Sequence, residues 1–177
     1  MRVVIRGAGD LASGVALRLW RAGMDVVLLD VEKPTAIRRT VAFSEAIVHG
    51  KQTVEDVTAR LATAETAEET LAAGMIPVLV DPEGRSIPTL RPDVLVDAIL
   101  AKRNLGTEIT DAPVVIGVGP GFTAGVDCHA VVETMRGHTL GRVIREGSAI
   151  PNTGIPGLIG GFAGERVLRA PAAGLFH

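Results

Sequence analysis

Val3, Val4 and Ile5 form a short apolar run between Arg2 and Arg6, and Gly7 and Gly9 follow at once. Leu11, Val15 and Leu19 then recur every fourth residue with Ala12 and Ala16 beside them, which predicts a strand, a tight turn and an amphipathic helix. Gly23 stands where a C-terminal helix cap belongs, and Val26–Leu29 make a second buried strand that ends at Asp30. The pattern is a βαβ unit, for which a right-handed crossover is expected. Between residues 34 and 52, Pro34 suits a first helical turn and Ile37 with Val41 marks one apolar stripe, so a short helix is expected. Val57, Ala59 and Leu61 alternate with Thr58 and Arg60, which favours a strand, although Val54, Val57 and Leu61 also fit a helix face. Thr66 and Glu69 have capping-box spacing, and Leu71–Ala73 ahead of Gly74 complete a helix before the strand Ile76–Val80. Val94–Val96 and Val114–Val118 are further strand-like runs, each preceded by proline.

These alternations predict an α/β fold of the Rossmann-like, doubly wound type with a mostly parallel sheet over residues 1–125. Residues 126–177 read differently. Ala130–Thr134 and Leu140–Ile144 flank Arg136, Gly137 and His138 like an antiparallel β-hairpin. A region rich in glycine and proline follows from Ser148 to Gly164, then a strand is expected at Arg166–Arg169. The last residues, Ala170 to His177, bring no visible cap or closing strand, which suggests a longer protein cut here.

Composition narrows the function classes. The 177 residues are 47 % apolar and 21 % charged, a globular balance, and their formal charge of −2 gives no general basic field for nucleic acid or an anionic membrane. Tyrosine is absent and aromatics reach only 3 %, so stacking platforms for single strands are missing too. Cys128 is the one cysteine, which excludes an internal disulfide and fits a reducing cytoplasm. With no pair of histidines at ligand spacing, a structural metal site is not expected. Nothing resembles a signal peptide or a membrane helix.

The candidate chemistry lies in two glycine loops. Gly7, Ala8, Gly9, Asp10, Leu11 and Ala12 spell the GxGxxA form of the dinucleotide fingerprint, in which one glycine makes the turn and the next lets a pyrophosphate approach the backbone. Asp30 is placed to accept hydrogen bonds from a ribose diol. Asp10 is the discordant residue, an acid beside the expected phosphate. The second loop, Gly117 to Gly125, follows an apolar strand, and its Gly119, Pro120, Gly121 and Phe122 could cradle a second anionic group through successive N–H groups, or simply turn the chain. Cys128 sits between Asp127 and His129; a thiolate there would be a nucleophile or sulfur carrier, while burial in a core is the plainer alternative. The pairs Arg38 with Arg39 and Lys102 with Arg103 could hold a phosphate or carboxylate, while a solvated surface is the plainer alternative for paired cations. No nucleophile elbow or Ser-His-Asp order is present.

Five segments together resemble the YqeB-type accessory proteins of selenium-dependent molybdenum hydroxylases: RGAGDLASGVALRLWRAG at 6–23, AIRRTVAFSEA at 36–46, PDVLVDAILAKRN at 92–104, GVGPGFTAGVDCHAVVETMRGHTLGRVI at 117–144 and PNTGIPG at 151–157. The resemblance implies a nucleotide-binding α/β unit that serves maturation of the molybdenum site. It makes the cytosine dinucleotide form of molybdopterin a candidate ligand, and a hydroxylase subunit or a selenium donor a candidate partner. Cys128 would then carry the chalcogen. Two alternatives remain open at this stage: an NAD(P)-dependent oxidoreductase or sensor using the first loop, with His129 or His138 as proton donor, and a non-catalytic adaptor. A homo-oligomer is a further candidate assembly.

Overall fold

The computed structural model describes residues 1–168 and 170–174. Its centre is a nine-stranded sheet. In chain order the strands are β1 (Arg2–Arg6), β2 (Asp25–Asp30), β3 (Lys51–Val54), β4 (Val57–Ala62), β5 (Ile76–Val80), β6 (Val94–Asp97), β7 (Val114–Val118), β9 (Ala130–Val132) and β10 (Val143–Ile144), while β8 (Thr123–Ala124) and β11 (Gly147–Ser148) pair separately. The spatial order is β10-β9-β7-β6-β1-β2-β5-β4-β3. Seven neighbouring strands run parallel, and β3 and β10 are antiparallel edges. The chain is therefore α/β with a large, mostly parallel sheet, as the alternating pattern predicts.

Period-two alternation explains why its strands read as continuous apolar runs. In β1, Val3 and Ile5 enter one core and Val4 the other, and both faces are covered. The first core receives helix α1 (Asp10–Arg21) and the short α2 (Glu45–His49); the second receives α3 (Ala67–Ala72) and α4 (Ile87–Leu90). Each fully buried Val, Ile or Leu contributes about 1.5–3 kcal/mol relative to an exposed one. In α1 the buried side is Ala12, Ser13, Ala16 and Leu17, whose small members let the helix lie close on the sheet. Leu11, expected on the apolar stripe, is 49 % exposed.

Two helix ends share one device. After α1, Gly23 adopts φ +80°, its N–H reaches Trp20 O, and Met24 N–H reaches Leu19 O. After α3, Gly74 adopts φ +73°, with Gly74 N–H on Leu71 O and Met75 N–H on Thr70 O. Both are Schellman caps, and each turns the chain straight into a strand.

Several local expectations are corrected. The stripe of Ile37 and Val41 makes no helix: Ile37 is 96 % exposed, and the buried anchors are Ala42, Phe43 and Ala46, so only a 3₁₀ turn (Arg39–Val41) precedes α2. Thr66 forms no side-chain cap on α3; its Oγ1 accepts the Thr63 N–H instead. Arg166 ends a 3₁₀ turn (Gly164–Arg166) where a strand was expected, and Arg169 lies outside the described residues. The hairpin does form, with Val132 opposite Val143, and it extends the main sheet because β9 also pairs with β7.

Candidate functional site

β1 leads to β2 on one side and has β6 on the other, so the crevice between the C-terminal ends of β1 and β6 is the switch point of the sheet. A cavity of 430 Å³ opens there, walled by Gly7, Gly9, Asp10, Asp30, Arg38 and Leu100 among others. The sequence-predicted first loop thus lies on the cavity.

Its glycines do different work. Gly7 has φ +98°, and a Cβ built on it would stand 2.8 Å from Ala98 O, so the end of β1 is pressed against the chain leaving β6. Gly9 has an ordinary φ of −66°, and a Cβ there would meet nothing within 4 Å. What its missing side chain leaves is open space at the start of α1. No side chain caps α1, so the N–H groups of its first turn have no side-chain partner beside the crevice. Ala8 is wholly buried and serves as a peg: its N–H donates to Asp30 Oδ2 at 2.8 Å, and its carbonyl accepts from Ser13 Oγ at 3.1 Å and Ser44 N–H at 2.8 Å.

Asp30 therefore pins the loop and still borders the cavity. Its other oxygen accepts the Val31 N–H at 2.7 Å. Burial raises its pKa, and the Val31 and Ala8 hydrogen bonds oppose that rise. Asp10, the discordant acid, is paired with Arg38, whose guanidinium offsets its charge across the mouth of the crevice.

Under the crevice, on the opposite face, lies a buried ionic cluster. Thr107 Oγ1 accepts from Arg6 Nη1 and donates to Asp97 Oδ2, both at 2.6 Å, with Arg6 and Asp97 themselves 3.6 Å apart. Arg6 also donates to the carbonyls of Pro82 and Leu105 at 3.1 Å. This ties the loops after β5 and β6 to the end of β1, and breaking such a buried pair costs about 3–5 kcal/mol. Sequence reading treated Arg6 only as a strand flank; the signal that could have found it is a charge at the last inward position of a buried strand, opposite Asp97.

The second loop is filled by chain. A Cβ at Gly117 would strike the Phe122 ring at 2.5 Å, one at Gly119 would meet Thr134 Oγ1 at 2.9 Å, and one at Gly121 would lie 2.6 Å from the Arg103 backbone. Gly119 N–H donates to Val132 O at 2.8 Å, so that donor belongs to the sheet. Pro120 borders a cavity of 770 Å³, and Gly121 with Phe122 a shallower one of 560 Å³. The 770 Å³ cavity shares Leu11 and Leu100 with the first-loop crevice, so the two cavities adjoin at those side chains.

Cys128 is fully buried among Val115, Phe122 and Val131 and touches none of these cavities. Burial pushes its thiol pKa up, away from a thiolate. His129 accepts the Val115 N–H on Nδ1 at 3.0 Å near the start of β7, the opposite end from the Gly119 loop, and His138 is exposed in the hairpin turn. The first-loop cavity has no cysteine, histidine or lysine on its wall. Its inventory suits binding: backbone donors, the carboxylates of Asp10 and Asp30, and the Arg38 guanidinium. Among the described residues no group of three His, Cys, Asp or Glu could hold a metal ion, and no helix is long and apolar enough to cross a membrane.

A doubly wound α/β unit with an open crevice at its switch point is the class this geometry defines. The chain is 61 % identical over 176 residues to the Uncharacterized protein YqeB of Escherichia coli (strain K12), an overlap covering 99 % of this chain and 32 % of that protein. It spans about a third of that relative's length, and the identity supports a kinship with YqeB-type proteins whose printed name assigns no activity. No family model and no solved structure matches the chain.

Proposed function

We propose that this chain is the nucleotide-binding unit of a maturation factor for selenium-dependent molybdenum hydroxylases, with a nucleotide-bearing ligand such as the cytosine dinucleotide form of molybdopterin held at the switch point. The observation that carries the binding part is Gly9: an ordinary backbone angle, no neighbour for a Cβ, and uncapped N–H groups beside it over the crevice. A pyrophosphate would sit on those donors, and the free lone pairs of Asp30 would take a ribose hydroxyl. The maturation part rests on the motif resemblance and on the kinship with YqeB. The ligand is cargo here. This chain binds and orients it, and no step is assigned to the buried Cys128.

Calorimetric titration with NAD(H), NADP(H), cytidine nucleotides and the molybdopterin dinucleotide, repeated on Gly9→Val, tests the reading. Tight binding of the cytosine ligand that falls more than about tenfold in the variant is expected. Selective binding of NAD(P) would replace it with an oxidoreductase or sensor, and no binding of any nucleotide would leave the adaptor role.

A further inference from the structure

A second compartment adjoins the nucleotide crevice. Across Leu11 and Leu100 lies the 770 Å³ cavity, whose wall carries Lys102, Arg136 and Arg166 and no acidic residue. None of these three cations is in an ion pair among the described residues. They come from three separate places: the segment after β6, the hairpin turn and the 3₁₀ turn near the C-terminus. On a chain with a formal charge of −2, three cations without an ion-pair partner line one concavity and make its wall locally positive; Arg166 Nη1 also donates to Gly157 O at 2.6 Å, and the Glu133 carboxylate lies behind the wall, held by the Met135 and Ile150 N–H groups. The remaining wall is apolar, with Leu11, Leu100, Met135, Ile150, Ile155 and Leu158. Backbone strain lies at the partition. Leu100 and Lys102 both hold left-handed φ values, +61° and +63°, a conformation that non-glycine side chains disfavour and that clusters where a ligand is gripped.

We infer that this compartment holds the distal half of the ligand, and that this half is a largely apolar ring bearing its own anionic group. The inference rests on the nucleotide reading for what joins the two halves; the compartment's chemistry stands on its own residues. Apolar walls desolvate the ring, while two guanidinium groups and one ammonium meet the anion with charge-assisted hydrogen bonds. A neutral distal ring would leave three cations without purpose, and a small inorganic anion would leave most of the apolar wall wet.

Flavin mononucleotide, a flat ring with one phosphate, is the probe, and cytidine diphosphate marks the first crevice. Fluorescence titration should show flavin mononucleotide binding to the chain and still binding when cytidine diphosphate is saturating. The exposed pair Lys102→Ser with Arg136→Ser should weaken it about 30-fold or more, and raised salt should weaken it too. Arg136→Lys should restore part of the affinity. Riboflavin, the same ring and ribityl chain without the phosphate, should bind far more weakly than the phosphate-bearing probe. No binding of flavin mononucleotide, equal binding of riboflavin, or indifference to the double substitution would each overturn the inference. Loss of cytidine diphosphate binding in Gly9→Val tests the first crevice separately, so either compartment can fail while the other stands.

Discussion

The two glycine loops look alike in sequence and behave differently in space. At the first, Gly9 borders open space and Gly7 borders the Ala98 backbone; at the second, Gly117, Gly119 and Gly121 all press against side chains or backbone. A glycine thus has two meanings in the same motif. It removes a side chain to admit another segment of the same chain, or to admit something that is not part of the chain. Only the direction of the absent Cβ distinguishes them.

The largest effects should come from the glycines that admit chain. Gly121→Ala, with φ +115° and a Cβ 2.6 Å from Arg103 backbone, and Gly7→Ala, with φ +98° and 2.8 Å to Ala98 O, should each lose about 2–4 kcal/mol in denaturant unfolding. At this chain length that lowers Tm by several degrees. Should either variant unfold like the parent, the close packing of these turns is wrong. Gly9→Ala is the counterpart: it should cost no more than about 1 kcal/mol, the loss of a tolerable helix N-cap, while nucleotide affinity falls at least about tenfold. Equal stability losses at Gly7 and Gly9 would erase the distinction.

The acids beside the two loops sharpen the comparison by titrating in opposite senses. Glu133 is buried behind the second loop and accepts N–H bonds from Met135 at 2.7 Å and Ile150 at 2.8 Å, which hold its carboxyl below the usual glutamate range. The folded state then binds its proton less readily than the unfolded chain. Its stabilisation is present above the ordinary glutamate pKa and fades as pH falls through the lowered value. Glu133→Gln should cost about 2 kcal/mol at neutral pH, with the gap to the parent closing in acid; a gap that is flat with pH would exclude this account. Because Ile150 walls the distal compartment, the same variant should also loosen that wall.

Asp30 should give the smallest and opposite signal. Burial raises its pKa, so the folded state keeps the proton longer, and stability is lost as pH rises from the ordinary aspartate range through the raised value. Urea unfolding of Asp30→Asn across acid to neutral pH should lack that component. A parent curve that instead gains stability through Asp30 over this interval would show that its two N–H bonds outweigh its burial.

Much of the fold was legible because it is written in local period. The runs Val3–Ile5, Val26–Leu29, Ile76–Val80 and Val114–Val118 are short and strongly apolar, the mark of strands inside a covered sheet, and Gly23 and Gly74 cap the helices before two of them. Between residues 34 and 52 the expected short helix forms at Glu45–His49 and not on the stripe of Ile37 and Val41, because the anchors of this stretch are not periodic. Phe43 is fixed by Ser13 Oγ, 30 residues away, and Glu45 is held by Arg39 and His49. Of the site, the sequence located Gly7, Gly9 and Asp30 on the crevice but not which glycine was free, and it left the core position of Cys128 undecided. Arg6 escaped notice because its partners Asp97 and Thr107 are separated from it by some ninety to a hundred residues. Among the cations of the distal compartment, Lys102 is a candidate anion holder by sequence, but its meeting with Arg136 and Arg166 is not written there, because the three share no motif and come together only through folding.

The strand order has a consequence for synthesis on the ribosome. β1 emerges first and can pair with β2 at once, yet its other edge belongs to β6, where Val3 meets Val94 and Ile5 meets Val96. Until that strand clears the exit tunnel, an edge of three consecutive aliphatic residues has no hydrogen-bond partner. At translation rates of about 5–20 residues per second, that interval lasts roughly 5–18 s. For that time the nascent chain exposes the kind of edge that recruits foreign strands, so the demand for chaperone protection should be set by the distance between β1 and β6 rather than by the stability of the finished sheet.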